Sequence, residues 1–266
     1  MYGKRTVVVL LLATLSVLPP QSAQAIVYGE PDNGEHPNVG SLVGQSTNSE
    51  TGATEHWQLC TGTLIDEDVV LTASHCIVGL EEFGVEQIYF TLAEVIDADM
   101  NGLVDPGVPL MTLTAVPHPQ FTHRANDPHD VAVLLLDEPV TGVEPAQLPE
   151  IGLLGSPGMR QETFTAVGYG TVRQTNKGGF QSFTVGWRRE KVEQELSSLT
   201  RAWVTFSMNL ATGNGGTCYG DSGGPHFLGE VVVAVTVTGD APCKSTDKSY
   251  RIDTSAVHEF LAPYLD

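Results

Sequence analysis

Thr217-Cys218-Tyr219-Gly220-Asp221-Ser222-Gly223-Gly224-Pro225 decides how this chain is read. One serine sits in a glycine-rich turn with an acid directly before it. A serine hydroxyl is a poor nucleophile at neutral pH. It needs a base to take its proton and donors to hold the oxyanion formed on attack at a carbonyl. Glycine lets backbone N–H groups approach a reacting carbonyl, because it has no Cβ and reaches conformations other residues avoid. The N–H groups of Gly220 and Ser222 can then aim at one oxyanion. An ordinary glycine-rich turn is the alternative, and two further stretches weigh against it.

Those stretches are Leu71-Thr72-Ala73-Ser74-His75-Cys76 and His129-Asp130-Val131-Ala132-Val133-Leu134-Leu135-Leu136. Together with the serine turn they resemble the chymotrypsin/trypsin-like serine endopeptidases. The chain order His, Asp, Ser is that family's and opposes an α/β-hydrolase esterase. The resemblance runs from Ile26 to the C-terminal helix. It implies an all-β fold of two packed six-stranded antiparallel barrels followed by a C-terminal α-helix. Periodicity alone shows only many short strands. The resemblance makes Ser222 the nucleophile, His75 its general base and then general acid, and Asp130 the group that orients His75. It makes Gly220 and Ser222 the oxyanion hole. No cofactor is required.

Composition agrees with a globular chain. The 266 residues are 41% apolar and 17% charged, with 28 glycines and 16 prolines, which suit short strands joined by turns. Residues 1–25 read as a secretory signal. Lys4 and Arg5 form a basic start, Val7 to Leu18 is an apolar run too short to span a bilayer, and Ala23-Gln24-Ala25 is a small-x-small cleavage site. The product is expected outside the cytoplasm, secreted or periplasmic. Losing Lys4 and Arg5 takes the formal charge from -19 to -21. Such a surface argues against nucleic acid and anionic membrane partners and leaves protein or peptide substrates, with the protein a monomer.

Ile26-Val27-Tyr28-Gly29 is similar to the new amino terminus of active family members. There the freed ammonium inserts and pairs with the acid before the nucleophile, here Asp221. Ala25 precedes Ile26 at the signal cleavage site, so signal removal is expected to free the active terminus. Four cysteines in an exported chain suggest two bridges, and counting allows three connectivities. The resemblance selects Cys60–Cys76 and Cys218–Cys243. The division expected is a first barrel over 26–145 carrying His75 and Asp130, and a second over 146–266 carrying Ser222.

Asp97, Asp99, Asn101 and Asp105 place oxygen ligands at alternate positions, as a calcium loop does, but Val108 stands where an EF-hand has glutamate. A polar turn between strands is the competing reading. Arg188, Arg189 and Lys191 read as a solvated basic strand face. Glu190 to Leu199 can be drawn as a helix, though a barrel favours a strand.

Within the resemblance, Gly216 takes the place at the pocket base where trypsin-like members carry aspartate. Thr217, Tyr219, Val237, Thr238 and Gly239 complete the pocket. An apolar or aromatic preference follows; Lys248 near the back would instead favour an acidic residue, as in glutamyl endopeptidases. Val237 and Thr238 replace the family's Ser-Trp. The serine normally donates to the catalytic aspartate, and valine cannot. A non-catalytic binding protein on the same fold is the rival class.

Overall fold

In the computed structural model the described residues are 26–122, 124, 126–173, 183, 184 and 187–265. Residues 1–25 and most of 171–182 lie outside them. Twelve strands make two antiparallel sheets. The first holds β1 (Val39–Thr47), β2 (Thr54–Leu64), β3 (Val69–Thr72), β4 (Gln87–Thr91), β5 (Leu113–Pro117) and β6 (Ala132–Leu136). Its order is β4-β1-β2-β3-β6-β5, and a Phe90–Met111 bridge brings its edges together into a nearly closed barrel.

The second sheet holds β7 (Thr163–Gly168), β8 (Glu190–Leu199), β9 (Trp203–Ser207), β10 (Pro225–Leu228), β11 (Val231–Gly239) and β12 (Thr246–Arg251). Its order is β8-β9-β12-β11-β10-β7, and β7 pairs again with β8 to close the barrel. Closure removes unpaired strand edges. Glu30–Pro31 adds a short strand beside β8.

Strand β8 resolves the helix-or-strand ambiguity. Glu190, Val192, Gln194 and Leu196 face inward and alternate with outward residues, a period of two. The polar inward residues are unusual for a barrel wall and become important below. The largest core cluster spans both barrels. It joins Val39, Val69, Leu71 and Val133 to Val167, Tyr169, Trp203, Val235 and Tyr250. Leu261 and Val257 of α1 (Ser255–Leu261) pack on it. Thr254 caps the helix by accepting from the Val257 amide, and a 3-10 turn at Ala262–Tyr264, containing Pro263, ends it.

One expectation is corrected. Arg189 is not on a solvated face but is 3% exposed. Its Nε donates to Asp32 at 2.8 Å and its Nη1 to the Val39 carbonyl at 2.9 Å. A buried guanidinium needs such partners. Burial pushes the Asp32 carboxyl up, but hydrogen bonds from His36 and Arg189 outweigh it and hold it at about 2.

Candidate active site

Strand β3 runs into a 3-10 turn, Ser74–Cys76, which carries His75. Asp130 lies just before β6, the neighbour of β3, so the sheet brings the two together. Asp130 is buried. Its carboxylate accepts from the His75 backbone N at 2.9 Å and lies 2.8 Å from Nδ1. A proton on Nδ1 leaves the Nε2 lone pair to act as base. The Cys60–Cys76 disulfide ties the turn to β2, and Ser74 Oγ donates to the Val131 carbonyl at 2.6 Å. Among the described residues Asp130 takes hydrogen bonds only from His75, and Val237 supplies none.

The nucleophile loop is fixed from both sides. Gly223 N donates to the Thr236 carbonyl, and Thr61 N of β2 to the Ser222 carbonyl, each at 2.8 Å. Gly223 has φ +77, and a Cβ there would lie 2.1 Å from Thr72 Oγ1, so glycine is required. His75 and Ser222 share no direct hydrogen bond in this structure; such contacts often tighten only with substrate bound.

The Gly220 and Ser222 amides donate to no acceptor among the described residues. Two flanking bonds set their direction. Thr171 N donates to the Tyr219 carbonyl at 2.7 Å, so the trans peptide turns the Gly220 N–H the opposite way. Gly224 N donates to the Asp221 carbonyl at 2.9 Å, so the Asp221–Ser222 peptide turns the Ser222 N–H the opposite way. The Gly220 carbonyl between them accepts from Gln58 Nε2 at 2.7 Å and Thr61 Oγ1 at 3.0 Å. Gln58, Thr61 and Thr171 were not singled out from sequence. The contacts of Gln58 and Thr61 cross between the barrels, that of Thr171 joins two loops of the second, and no local pattern marks them.

Beside Ser222 lies a cavity of about 300 Å³, lined by Thr217, Tyr219, Val237, Thr238 and Gly239 among others. Tyr219 Oη donates to the Ala241 carbonyl at 3.0 Å, and the Cys218–Cys243 disulfide ties the same two loops. Behind the lining, Met208 packs on Gly216 so closely that a Cβ there would meet it at 2.4 Å. The Thr217 hydroxyl turns away to buried Asp247, 2.8 Å off. Burial raises the Asp247 carboxyl, but His226, Gln194 and Thr217 bring it down to about 2. Gln194 and Ser249 share its oxygens, so this charge is satisfied internally. Lys248 stands elsewhere: its Nζ lies 4.0 Å from the Trp203 ring centroid.

With residues 1–25 attached, the Ile26 amide donates to Glu190 Oε2 at 3.2 Å rather than to Asp221. Asp221 accepts from Gly170 N at 2.7 Å and Cys218 N at 2.8 Å. Burial drives the Asp221 carboxyl well above its usual range; the Cys218 and Gly170 amides oppose this, and nearby Asp247 and Glu190 add to it. Val27 and Gly216 exchange two hydrogen bonds of 3.0 Å, and Gly216 itself is not among the residues lining the cavity.

The carboxylates of Asp97, Asp99 and Asp105 lie within 4.8 Å of one another. Asp97 accepts from the Asn101 and Gly102 amides, and Asn101 accepts from Leu103 N, so the segment is at least a well-bonded turn.

Two barrels with a serine, a histidine and a buried aspartate at their junction define the class of chymotrypsin-like serine hydrolases. The trypsin family model matches residues 26–260, and the chain belongs to that family: it is a serine-type endopeptidase that needs no cofactor. It is 28% identical over 220 residues to human (Homo sapiens) Kallikrein-2, covering 76% of this chain and 77% of the relative. It is 28% identical over 186 residues to Serine protease 7 of Drosophila melanogaster, covering 62% of this chain and only 46% of that longer protein. Neuropsin, a serine protease expressed in the limbic system of mouse brain, shares the fold. The TM-score is 0.61 at 19% identity, with 89% of this chain and 100% of that chain covered.

Proposed function

We propose that the chain hydrolyses peptide bonds within proteins through an acyl-enzyme on Ser222. His75 Nε2 takes the hydroxyl proton as Ser222 Oγ attacks the scissile carbonyl. The Gly220 and Ser222 amides bind the oxyanion. His75 then protonates the leaving amine, and water, deprotonated by His75, releases the acyl group. Asp130 holds the imidazole in orientation and stabilises its cation. The observation that carries this reading is the pair of amides without an acceptor among the described residues, held in direction by the Thr171 N–Tyr219 carbonyl and Gly224 N–Asp221 carbonyl bonds, beside the pocket that Ser222 lines.

The pocket reading is apolar or aromatic rather than trypsin-like. Met208 against Gly216 supports it, and so does Asp247 being engaged by its own neighbours. With Lys248 over Trp203, a glutamyl preference has no cation among the described lining residues to support it. The two halves divide near 145/146. Export by the signal at 1–25 frees Ile26, and the secreted product acts as a monomer on proteins or peptides, without nucleic acid or membrane. No helix among the described residues is long and apolar enough to cross a membrane. Calcium at 97–105 is a structural proposal only, and a rise in Tm on adding calcium tests it.

A serine-directed fluorophosphonate tests the mechanism. One adduct mapping to Ser222, on protein of mass Ile26–Asp266, supports nucleophile and terminus together. Protein that starts at Ile26, takes no adduct and leaves casein intact is the binding protein instead.

A further inference from the structure

Strand β2 touches both halves of the catalytic apparatus. Cys60 is bonded to Cys76, the residue after His75. Thr61 N donates to the Ser222 carbonyl at 2.8 Å. The Thr61 carbonyl accepts at 2.9 Å from Thr72 Oγ1, on the strand that leads to His75. Gln58 Nε2 and Thr61 Oγ1 both donate to the Gly220 carbonyl, at 2.7 and 3.0 Å. On a regular strand, side chains three residues apart point to opposite faces. Here Leu42 pairs with Cys60 and Val43 with Gln58, so Leu59 is an extra residue in β2. That bulge turns both donors toward one carbonyl.

The carbonyl they grip belongs to the peptide that joins the two oxyanion donors. The Gly220 N–H lies on the peptide before it and the Ser222 N–H on the peptide after it. Peptides are flat and rigid, so the angle between the two donors depends on how the Gly220–Asp221 peptide is turned. Gly220, at φ +98, is where this chain turns most freely. The opposite edge of the peptide has one longer bond, from Asp221 N to the Cys218 carbonyl at 3.2 Å. The two shorter bonds come from the first barrel, while the peptide belongs to the second.

We propose that Gln58 and Thr61 are positioning residues for the oxyanion hole. They form a two-donor clamp through which docking of the first barrel sets the aim of the Gly220 and Ser222 amides. This rests on the acyl-enzyme reading above. With one donor left, the carbonyl is still held. With neither, the peptide turns about Gly220 and the two amides no longer converge. The Thr61 hydroxyl also accepts from Tyr169 N at 3.3 Å, and a serine at 61 keeps both of its bonds.

The test compares Thr61→Val, Gln58→Leu, their double variant and Thr61→Ser in hydrolysis of a peptide amide, per active site titrated with a fluorophosphonate. Each single loss should lower kcat about three- to tenfold, the usual effect of one hydrogen bond to a backbone carbonyl. The double variant should lose about 100-fold, as when an oxyanion donor is removed, with KM within about twofold. Thr61→Ser should stay within about twofold of wild type. Affinity for a peptidyl trifluoromethyl ketone, whose serine adduct places an oxyanion on the same donors, should fall by the same factor as kcat/KM across the series. A merely structural role would lower the number of titrated sites and leave kcat per site unchanged. A double variant with kcat per site within about threefold of wild type overturns the proposal, and so does a loss confined to KM.

A crystal structure of wild type with that ketone bound decides it without a variant. Gln58 and Thr61 both on the Gly220 carbonyl, with the adduct oxygen within about 3.1 Å of Gly220 N and Ser222 N, supports it. A Gly220 carbonyl turned away from both side chains while the adduct oxygen is still held overturns it. Wild type that takes no fluorophosphonate refutes the acyl-enzyme reading, and the clamp falls with it. Wild type that turns over beside unaffected variants refutes the clamp alone.

Discussion

Gly220→Ala puts the oxyanion geometry at risk in a way that can be worked out. Gly220 has φ +98, and a Cβ there would stand 2.5 Å from Gln58 Oε1 and 3.0 Å from Gly170 Cα. Gln58 can swing aside, but only by giving up its 2.7 Å bond to the Gly220 carbonyl. Gly170 is backbone and cannot. Keeping the wild-type conformation costs about 1–2 kcal/mol for a left-handed alanine, plus about 1 kcal/mol for the lost bond. The alternative is to rotate the Tyr219–Gly220 peptide, which removes one oxyanion donor. That loss is worth about 3–4 kcal/mol in the transition state, about 100- to 1,000-fold in kcat. The assay is steady-state hydrolysis of a peptide amide, with active sites titrated by a fluorophosphonate and thermal unfolding followed in parallel. The expected result is a kcat loss of at least tenfold with KM within about twofold, because the donors act on the oxyanion and not on bound substrate. A variant with kcat within about threefold of wild type and unaltered melting would refute the reasoning.

Other outcomes follow from the same geometry. Val237→Ser offers Asp130 a third donor and should raise kcat about three- to tenfold, at about 1 kcal/mol of stability for the lost apolar packing, measured by kinetics and denaturant unfolding. Removing Cys60–Cys76, which spans 16 residues, should cost about 3 kcal/mol by loop entropy, and Cys218–Cys243, spanning 25, slightly more, read from unfolding midpoints. Asp32 and Asp247 are both held down at about 2, below the ordinary aspartate value. Their contribution is complete above about pH 4 and fades as pH falls toward 2, on the order of 2 kcal/mol each, so wild type should lose stability steeply there. Asp32→Asn should be less stable at neutral pH and show a shallower acid loss.

The parts legible in the sequence were those whose chemistry is local. A serine between glycines, a histidine after an apolar strand and an aspartate before one each lie within a few residues of what identifies them. What stayed hidden depends on distant pairs. Glu190 meets Ile26 across 164 positions, and Gln58 meets Gly220 across 162. In sequence Glu190 stands among Glu, Gln and Lys residues that favour helix as much as strand. Arg189 looked like one of a solvated basic trio, because nothing nearby in the chain announces Asp32. The buried Asp247 has a trace in the sequence, since Asp247 and Ser249 alternate inward along β12, but two polar inward residues read as an outer face until the barrel is closed.

Arg189 has a consequence for the lifetime of the molecule. It grips Asp32 on the segment after Ile26 and Val39 on the first barrel, while sitting at the head of a strand of the second. Neither barrel can peel away alone without stranding a desolvated charge. Partial opening is thus discouraged more than its contact area would suggest. For an endopeptidase this matters among its own kind, because any copy that loosens becomes a meal for those that have not.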